Sequence, residues 1–364
     1  MSFPALRTSL AVLASYAGDE RLTLLPTLSI CIPTFNRAGF LGATLDSILN
    51  QVRPEVEIVI VDGGSTDNTA ELVESYARRW SCIRYFRQDV NHGVDRDVDK
   101  CVELAQGTYC WLMSSDDLLR PGAMAAVLQA CAGRYSLIIV NSEIRDREMA
   151  IVLKPSVLGG SQDQVYGTER WNEFFSKTAS YLSFIGCVVI ERQVWLARVR
   201  EPYYGTEFIH VGVIFQRPLS GPVLVMATPW ISIRYGNFTW GPRSAEISLF
   251  RWPELVWSFD GLPEQARKQL CPKEGWRRLL RILYHRGFGR ISASNYSQYL
   301  SRWKLRLWER LLLNAVLRMP EKILNLIALV FYSLVRRDWA TVYLLKTSPA
   351  CCFRLRGGQT DGTR

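Results

Sequence analysis

The chain has 364 residues, with 44 Lys and Arg against 34 Asp and Glu, for a formal net charge of +10. Apolar residues make up 48% of it, enough for a packed core, which excludes an intrinsically disordered chain. No apolar run reaches 18 residues, so no membrane span is expected; the longest, 323–335, contains Asn325. The charge is unevenly placed: residues 251–364 hold 21 basic and 8 acidic residues, whereas residues 1–250 hold 23 and 26. The basic character therefore concerns a partner of the C-terminal third. Nine cysteines without a CxxC, several inside apolar runs (Cys31, Cys110, Cys187), read as reduced thiols of a cytosolic protein. Leu10–Ala17 is too short for a signal-peptide core and reads as an N-terminal helix.

From residue 26 the pattern becomes regular. Leu28–Pro33 reads as a strand, followed by the loop Thr34-Phe35-Asn36-Arg37. Phe40–Asn50 is an amphipathic helix with Leu41, Leu45, Ile48 and Leu49 on one face. Val56–Val61 is a second apolar strand, ended by Asp62-Gly63-Gly64-Ser65, and Asp67-Asn68 caps a helix over Thr69–Trp80. Ile83–Phe86 is a short third strand. Asn91-His92-Gly93 turns into a helix over Val94–Ala105. Tyr109–Met113 is a fourth apolar strand and runs directly into Asp116-Asp117; a helix to Ala132 and a strand over Ser136–Val140 follow.

Strands and helices alternate as in right-handed βαβ units on a parallel sheet. That topology brings Thr34, Asp62, Asn91–Arg96 and Asp116-Asp117 to one sheet edge, where such folds bind ligands. Any one of these residues alone reads as a cap or turn residue; their convergence reads as a site. Adjacent carboxylates repel unless a cation sits between them, and hard oxygen ligands favour Mg²⁺ or Mn²⁺ shared with substrate phosphates.

The segments Ser-Ile-Cys-Ile-Pro-Thr-Phe-Asn-Arg (29–37), Ile-Val-Ile-Val-Asp-Gly-Gly-Ser-Thr-Asp-Asn-Thr (58–69), Asn-His-Gly-Val-Asp-Arg-Asp (91–97) and Ser-Ser-Asp-Asp (114–117) resemble glycosyltransferase family 2. The resemblance covers about residues 26–145. It implies the GT-A fold: a Rossmann-like α/β domain with a mainly parallel sheet, here carrying a basic helical extension. It also implies a nucleotide-sugar donor (UDP-, CDP- or dTDP-linked) and a divalent metal. Tyr109-Cys110-Trp111, Ser180-Tyr181-Leu182-Ser183 and Tyr204-Gly205-Thr206 add a likeness to bacterial O-antigen transferases of the abequosyltransferase type.

Position by position, Asp62 resembles the carboxylate that reads the base, and Arg96 the basic residue near base and phosphates. Asp116 and Asp117 resemble the DxD-type metal pair, with Asp117 as the direct ligand. Pro33, Thr34, Asn36, Arg37 and Gly64 fall in the loops bordering the nucleotide. In one departure, the family often has Asp-Asp-Gly-Ser where this chain has Asp62-Gly63-Gly64-Ser65.

The middle of the chain is less regular. Residues 146–167 read as a mobile loop over the acceptor side, Trp171–Thr178 as a helix, and Phe184–Glu191 as a strand. The family's Glu-Asp pair, which carries the catalytic base, is absent. Glu207 and His210 are the polar substitutes nearby, and a neutral imidazole accepts a proton near pH 7. Residues 231–240 read as a strand leading to a loop, from which Arg234 reaches the donor diphosphate.

Residues 246–346 read as helices dense in Arg and Trp. Trp303, Trp308 and the 323–335 run suit an anionic membrane surface, and no nucleic-acid-binding pattern accompanies them. The expected organisation is an N-terminal helical segment (1–25), a catalytic domain (26–245, with nucleotide and acceptor halves meeting near 145), a membrane-associating helical region (246–346) and a disordered tail (347–364). The expected function is metal-dependent transfer of a sugar to a lipid-linked saccharide at the cytosolic membrane face. A nucleotidyltransferase of similar fold or an inactive membrane-bound scaffold is the alternative. The first would want a Gly-rich basic loop after the first strand, where this chain has Ile-Pro-Thr-Phe-Asn-Arg; the second is kept open by the absent Glu-Asp pair.

Overall fold

The computed structural model describes residues 25–237, 241–274, 279–291 and 306–352. The expected helix at Leu10–Ala17, Phe238, Thr239 and Trp240 of the expected 231–240 segment, Trp303, and the end of the expected disordered tail from residue 353 lie outside the described residues. A mixed sheet is built from β1 (Leu28–Thr34), β2 (Val56–Asp62), β3 (Ile83–Arg87), β4 (Tyr109–Leu112), β5 (Leu118–Leu119), β6 (Leu137–Arg145), β7 (Val152–Lys154), β8 (Gln164–Tyr166), β9 (Val188–Glu191) and β10 (Val223–Arg234). The strand order is β3-β2-β1-β4-β9-β6-β10-β5, with β7 on β6 and β8 on β10. The helices α1 (Ala38–Leu49), α2 (Thr69–Arg79), α3 (Val94–Leu104), α4 (Ala123–Ala132), α5 (Trp171–Thr178), α6 (Arg192–Leu196) and α7 (Ile209–Phe215) flank it.

Both faces of the sheet are covered, which explains why β1 and β2 are apolar throughout. Ile30, Ile32, Ile58 and Ile60 pack with Leu41, Leu45 and Ile48 of α1 on one face. Cys31, Val59 and Val61 pack with Val98 and Val102 of α3 on the other. The two-residue period of a strand sorts neighbours into separate cores. β1, β2, β3 and β4 pair in parallel, so their C-terminal ends share one edge, with Thr34 opposite Asp62 and Asp62 opposite Arg87.

The second half of the sheet departs from the expected pattern. β9 runs antiparallel between β4 and β6. Its expected first residues instead form a 3-10 turn, Ile185–Cys187. β10 starts eight residues before the expected Ile231 because Pro229, which has no amide hydrogen, lies at a register shift that breaks the alternation. The segment 146–167, expected as a mobile loop, contributes β7 and β8 to the sheet. Two-residue β5, not foreseen, pairs with β10 and pins the chain just after Asp117.

The core does not end at the expected boundary of 245. Trp252, Leu255, Val256, Phe259, Leu262, Ala266 and Cys271 pack with α3, α5 and α7 in one cluster. Beyond them, helices Leu279–Gly287, Leu307–Arg318, Glu321–Val330 and Trp339–Thr347 enclose two small clusters of their own. Asn325, buried among them, donates to the carbonyls of Gly287 and Leu345 at 2.9 and 3.1 Å and so ties three helices together. Among the described residues no helix is long and apolar enough to cross a membrane.

Candidate active site at the strand ends

The loops at the parallel strand ends are bound to one another by short polar contacts. Asn36, in a left-handed conformation (φ 53°), accepts from Thr66 N at 2.8 Å, and its own amide donates to Ser65 Oγ at 2.8 Å. Arg37 Nη2 lies 3.3 Å from Asp116 Oδ2, joining the β1 loop to the β4 loop. Asn237 Nδ2 donates to the same oxygen at 2.7 Å. Asp67 Oδ1 accepts from Thr69 N at 3.0 Å, so the expected cap of α2 forms through Asp67 rather than Asn68.

Asp62 is fully buried. Oδ1 accepts from Ser65 N and Oδ2 from Tyr85 Oη, both at 2.8 Å. Gly64 (φ 78°) holds a conformation that disfavours a side chain, and a Cβ there would come within 3.1 Å of the Gln88 carbonyl. Pro33 is buried in β1 opposite Val61. The buried Thr34 Oγ1 has no hydrogen-bond partner. Arg96 is exposed, and its guanidinium stacks 4.3 Å from the Tyr204 ring centroid.

Asp116 and Asp117 share Ser114 Oγ, which lies 2.6 Å from an oxygen of each. Asp117 is buried, and its other oxygen accepts from the Arg234 amide at 2.8 Å. Burial first, and the Asp116 charge second, push the Asp117 carboxyl up to about 8. Among the described residues no group of three or more His, Cys, Asp or Glu could hold a metal. Two carboxylates still fit Mg²⁺ or Mn²⁺, which take one or two protein carboxylates and complete their shell with phosphate oxygens and water. The two carboxylates repel one another, and a cation held between them would relieve that repulsion.

The geometry bears on three residues given roles beyond the motifs. Arg234 does not extend towards a diphosphate: it is buried, with Nε donating to the Asp116 carbonyl at 2.9 Å and Nη1 to the Arg147 carbonyl at 2.5 Å. It positions the Asp pair. His210 is not placed as a base. It is buried in the core, its Nε2 donates to the Leu182 carbonyl at 2.7 Å, and burial lowers it to about 4. The helix in which it sits is buried at every position because α7 runs through the core. Glu207 lies just before α7 with φ 71°, costly for a residue with a side chain, and pairs with Arg243 at 2.9 Å and Arg251 at 3.4 Å.

Asp95 and Asp97 stood in the 91–97 motif but were given no role, and Asp99 was not singled out; all three are buried in the first turns of α3. Asp95 accepts from Glu207 N at 2.9 Å and Ile209 N at 3.0 Å, so it holds the turn into α7. Asp99 pairs with Arg200 at 2.9 Å and accepts from Trp195 Nε1 at 2.8 Å, anchoring α6 and the segment after it. Asp97 faces the end of β2 and accepts from Gln88 Nε2 at 2.5 Å. Burial, as the largest cause, raises both Asp95 and Asp97 to about 6. The missed signal was the acid at every second position in the first turns of a helix, which a solvated face does not need.

Residues 29–181 match the sequence model described as Glycosyl transferase family 2. They form a family 2 glycosyltransferase domain. The chain is 28% identical over 198 residues to "Abequosyltransferase RfbV" of Salmonella typhimurium, covering 51% of this chain and 60% of that protein. It is 36% identical over 110 residues to "PGL/p-HBAD biosynthesis glycosyltransferase" of Mycobacterium bovis, covering 30% of this chain and 43% of that one. The chain thus spans less than two thirds of the length of these curated relatives. The crystal structure of S. aureus TarS 1-349, in complex with UDP-GlcNAc, superposes with TM-score 0.51 at 16% identity, covering 88% of this chain and 91% of TarS 1-349. The glycosyltransferase domain therefore has the GT-A architecture that its motifs implied. The same likeness takes in part of the region after 181, which the family match leaves out.

Proposed function

We propose that the chain transfers a sugar from a nucleotide donor to a lipid-linked saccharide in bacterial surface polysaccharide synthesis, O-antigen-like in type. One observation carries this reading: Arg37 of the β1 loop, Asn237 after β10 and Asp116 after β4 meet at a single carboxylate oxygen, beside buried Asp117. The loops of three strands thus surround the pair at the sheet edge where ligands bind. The donor's nucleoside is assigned to the edge at Thr34, Asp62 and Gly64, with Pro33 and Asn36 shaping its loop.

Asp116 and Asp117 would hold Mg²⁺ or Mn²⁺, which when bound neutralises the charge developing on the departing diphosphate. Asp117 is assigned as the direct ligand, with Asp116 beside it. Arg234 and Ser114 fix the two carboxylates so that little reorganisation accompanies binding. Exposed Arg96, stacked on Tyr204, is assigned to the donor's phosphate charge. Glu207 is assigned as the base that takes the acceptor hydroxyl's proton. Its backbone is held by Asp95, and its position before α7 is where the family's Glu-Asp pair lies.

The acceptor class is supported by the tail. Ile323, Leu326, Ile327, Val330, Phe331, Leu334 and Val335 are all exposed and recur at three- and four-residue spacing along one side of the helix and its π-helical continuation. Lys322, Arg336 and Arg337 flank this stripe, also exposed. An apolar stripe bordered by cations fits the surface of an anionic membrane, at the inner face of the cell membrane where a lipid-linked acceptor would lie. No role with nucleic acid is assigned. The test is release of nucleoside diphosphate from a panel of UDP-, CDP- and dTDP-sugars with Mn²⁺ or Mg²⁺ and lipid extract. Metal-dependent release with one donor class supports the reading; none with any donor overturns it.

A further inference from the structure

Gly63 is not in a left-handed conformation, so its backbone does not require glycine. What fills the space is Asp97: a Cβ on Gly63 would lie 2.8 Å from Asp97 Oδ2 and 3.6 Å from Asn91 Oδ1. We propose that Asp97 supplies from α3 the carboxylate that the family often carries directly after Asp62, and that its Oδ2 accepts a hydrogen bond from the donor nucleoside. The inference rests on the nucleotide-sugar reading and names a specificity residue within it.

The polar accounting supports this. Both oxygens of neighbouring Asp62 are already occupied, by Ser65 N and Tyr85 Oη. Asp97 Oδ1 accepts from Gln88, whereas Oδ2 accepts from no described residue. Asp97 is only 2% exposed and makes no ion pair among the described residues. A carboxylate in that position is costly unless a donor completes it. Thr34, opposite Asp62 in the ladder, has a buried Oγ1 without a partner. The open carboxylate oxygen on α3 and the unpartnered Thr34 hydroxyl at the end of β1 suit a ligand bearing N–H or O–H groups, such as a ring N–H or a ribose hydroxyl.

The variants follow from the shared space. Asp97→Asn keeps the shape and removes the charged acceptor. Gly63→Asp combined with Asp97→Ala returns a carboxylate to the same place from β2. The full-length protein is titrated calorimetrically with UDP, CDP, dTDP, GDP and ADP in Mg²⁺, with 2′-deoxy-UDP and 2′-deoxy-CDP as further arms. The expected result is one preferred base, weakened about 10- to 100-fold in Asp97→Asn at unchanged melting temperature, and largely restored in the double variant. A loss that persists with the 2′-deoxynucleotide assigns the contact to the base or the remaining hydroxyl; one that vanishes assigns it to the 2′-hydroxyl. Unchanged affinity in folded Asp97→Asn overturns the inference alone, as does a folded double variant that recovers nothing. If the unaltered protein binds none of the nucleotides, the nucleotide reading itself falls, and this inference with it.

Discussion

The backbone amide of Arg234 donates to Oδ1 of Asp117 at 2.8 Å, and the same residue's guanidinium holds the carbonyl of Asp116 at 2.9 Å. Residues 117 positions apart are thereby locked together at the centre of the site. A buried arginine spent on two carbonyls is a positioning group, and its removal leaves those carbonyls without donors.

Arg234→Ala is expected to cost about 2–4 kcal/mol of stability, from the loss of two charge-assisted hydrogen bonds in a buried site. It should also weaken Mn²⁺ binding about 10-fold or more, since groups that orient metal ligands have effects of that size. Chemical denaturation and a Mn²⁺ titration measure both. An arginine acting only on the donor would instead leave stability and metal affinity unchanged.

Asp117→Ala is expected to abolish metal-dependent transfer without unfolding the protein. The unaltered protein should gain melting temperature with added Mn²⁺ by mass action, and EDTA should reverse the gain. The variant should show no such gain. Near-normal activity of the variant in Mn²⁺ would remove the pair from the metal site.

His210 and Glu207 separate by kind of effect. His210→Ala opens a cavity and orphans the Leu182 carbonyl, so a stability loss of about 2–4 kcal/mol is expected. The pH profile of turnover should keep its shape, because His210 titrates near 4, below the working range. Glu207→Gln should lower turnover about 100-fold or more while changing donor affinity little. If His210→Ala folds and loses the basic-side activation while Glu207→Gln retains turnover, the assignment of the base is reversed.

Asp95 sets a pH dependence of folding. Its carboxyl is raised from 3.8 to about 6, chiefly by burial. For an acid raised in the folded state, the stabilising contribution is complete below the unfolded value and is lost as pH rises through the folded one. Asp95 therefore contributes a decline in stability between about pH 4 and pH 6. Melting curves of Asp95→Asn across this range should decline less steeply than those of the unaltered chain. A steeper decline in the variant would contradict the assignment.

The exposed stripe predicts membrane binding that point changes can break. Full-length protein should float with anionic liposomes, and less so as salt rises, because the cations flanking the stripe are screened. Ile327→Glu with Phe331→Glu should abolish flotation, as both side chains are exposed and neither supports the core. Equal flotation of both proteins would assign this face to another contact.

The sequence by itself determined the first four strands and the first four helices to within about two residues. Continuous apolar strands and amphipathic helices are local patterns, and four motifs at strand ends converge in any right-handed parallel sheet. It also determined which end of the chain is basic. It did not determine what those residues do, because role depends on neighbours distant in the chain. Arg234, His210 and Glu207 looked alike as polar residues beyond the motifs; tertiary packing made one a clamp, buried the second and left the third before α7. Asp95 and Asp97 stood in the 91–97 motif without a role, and Asp99 was unremarked, until folding buried all three. Burial decides such cases, since a carboxylate removed from water must find its donors across the fold, and those partners lie up to 114 residues away.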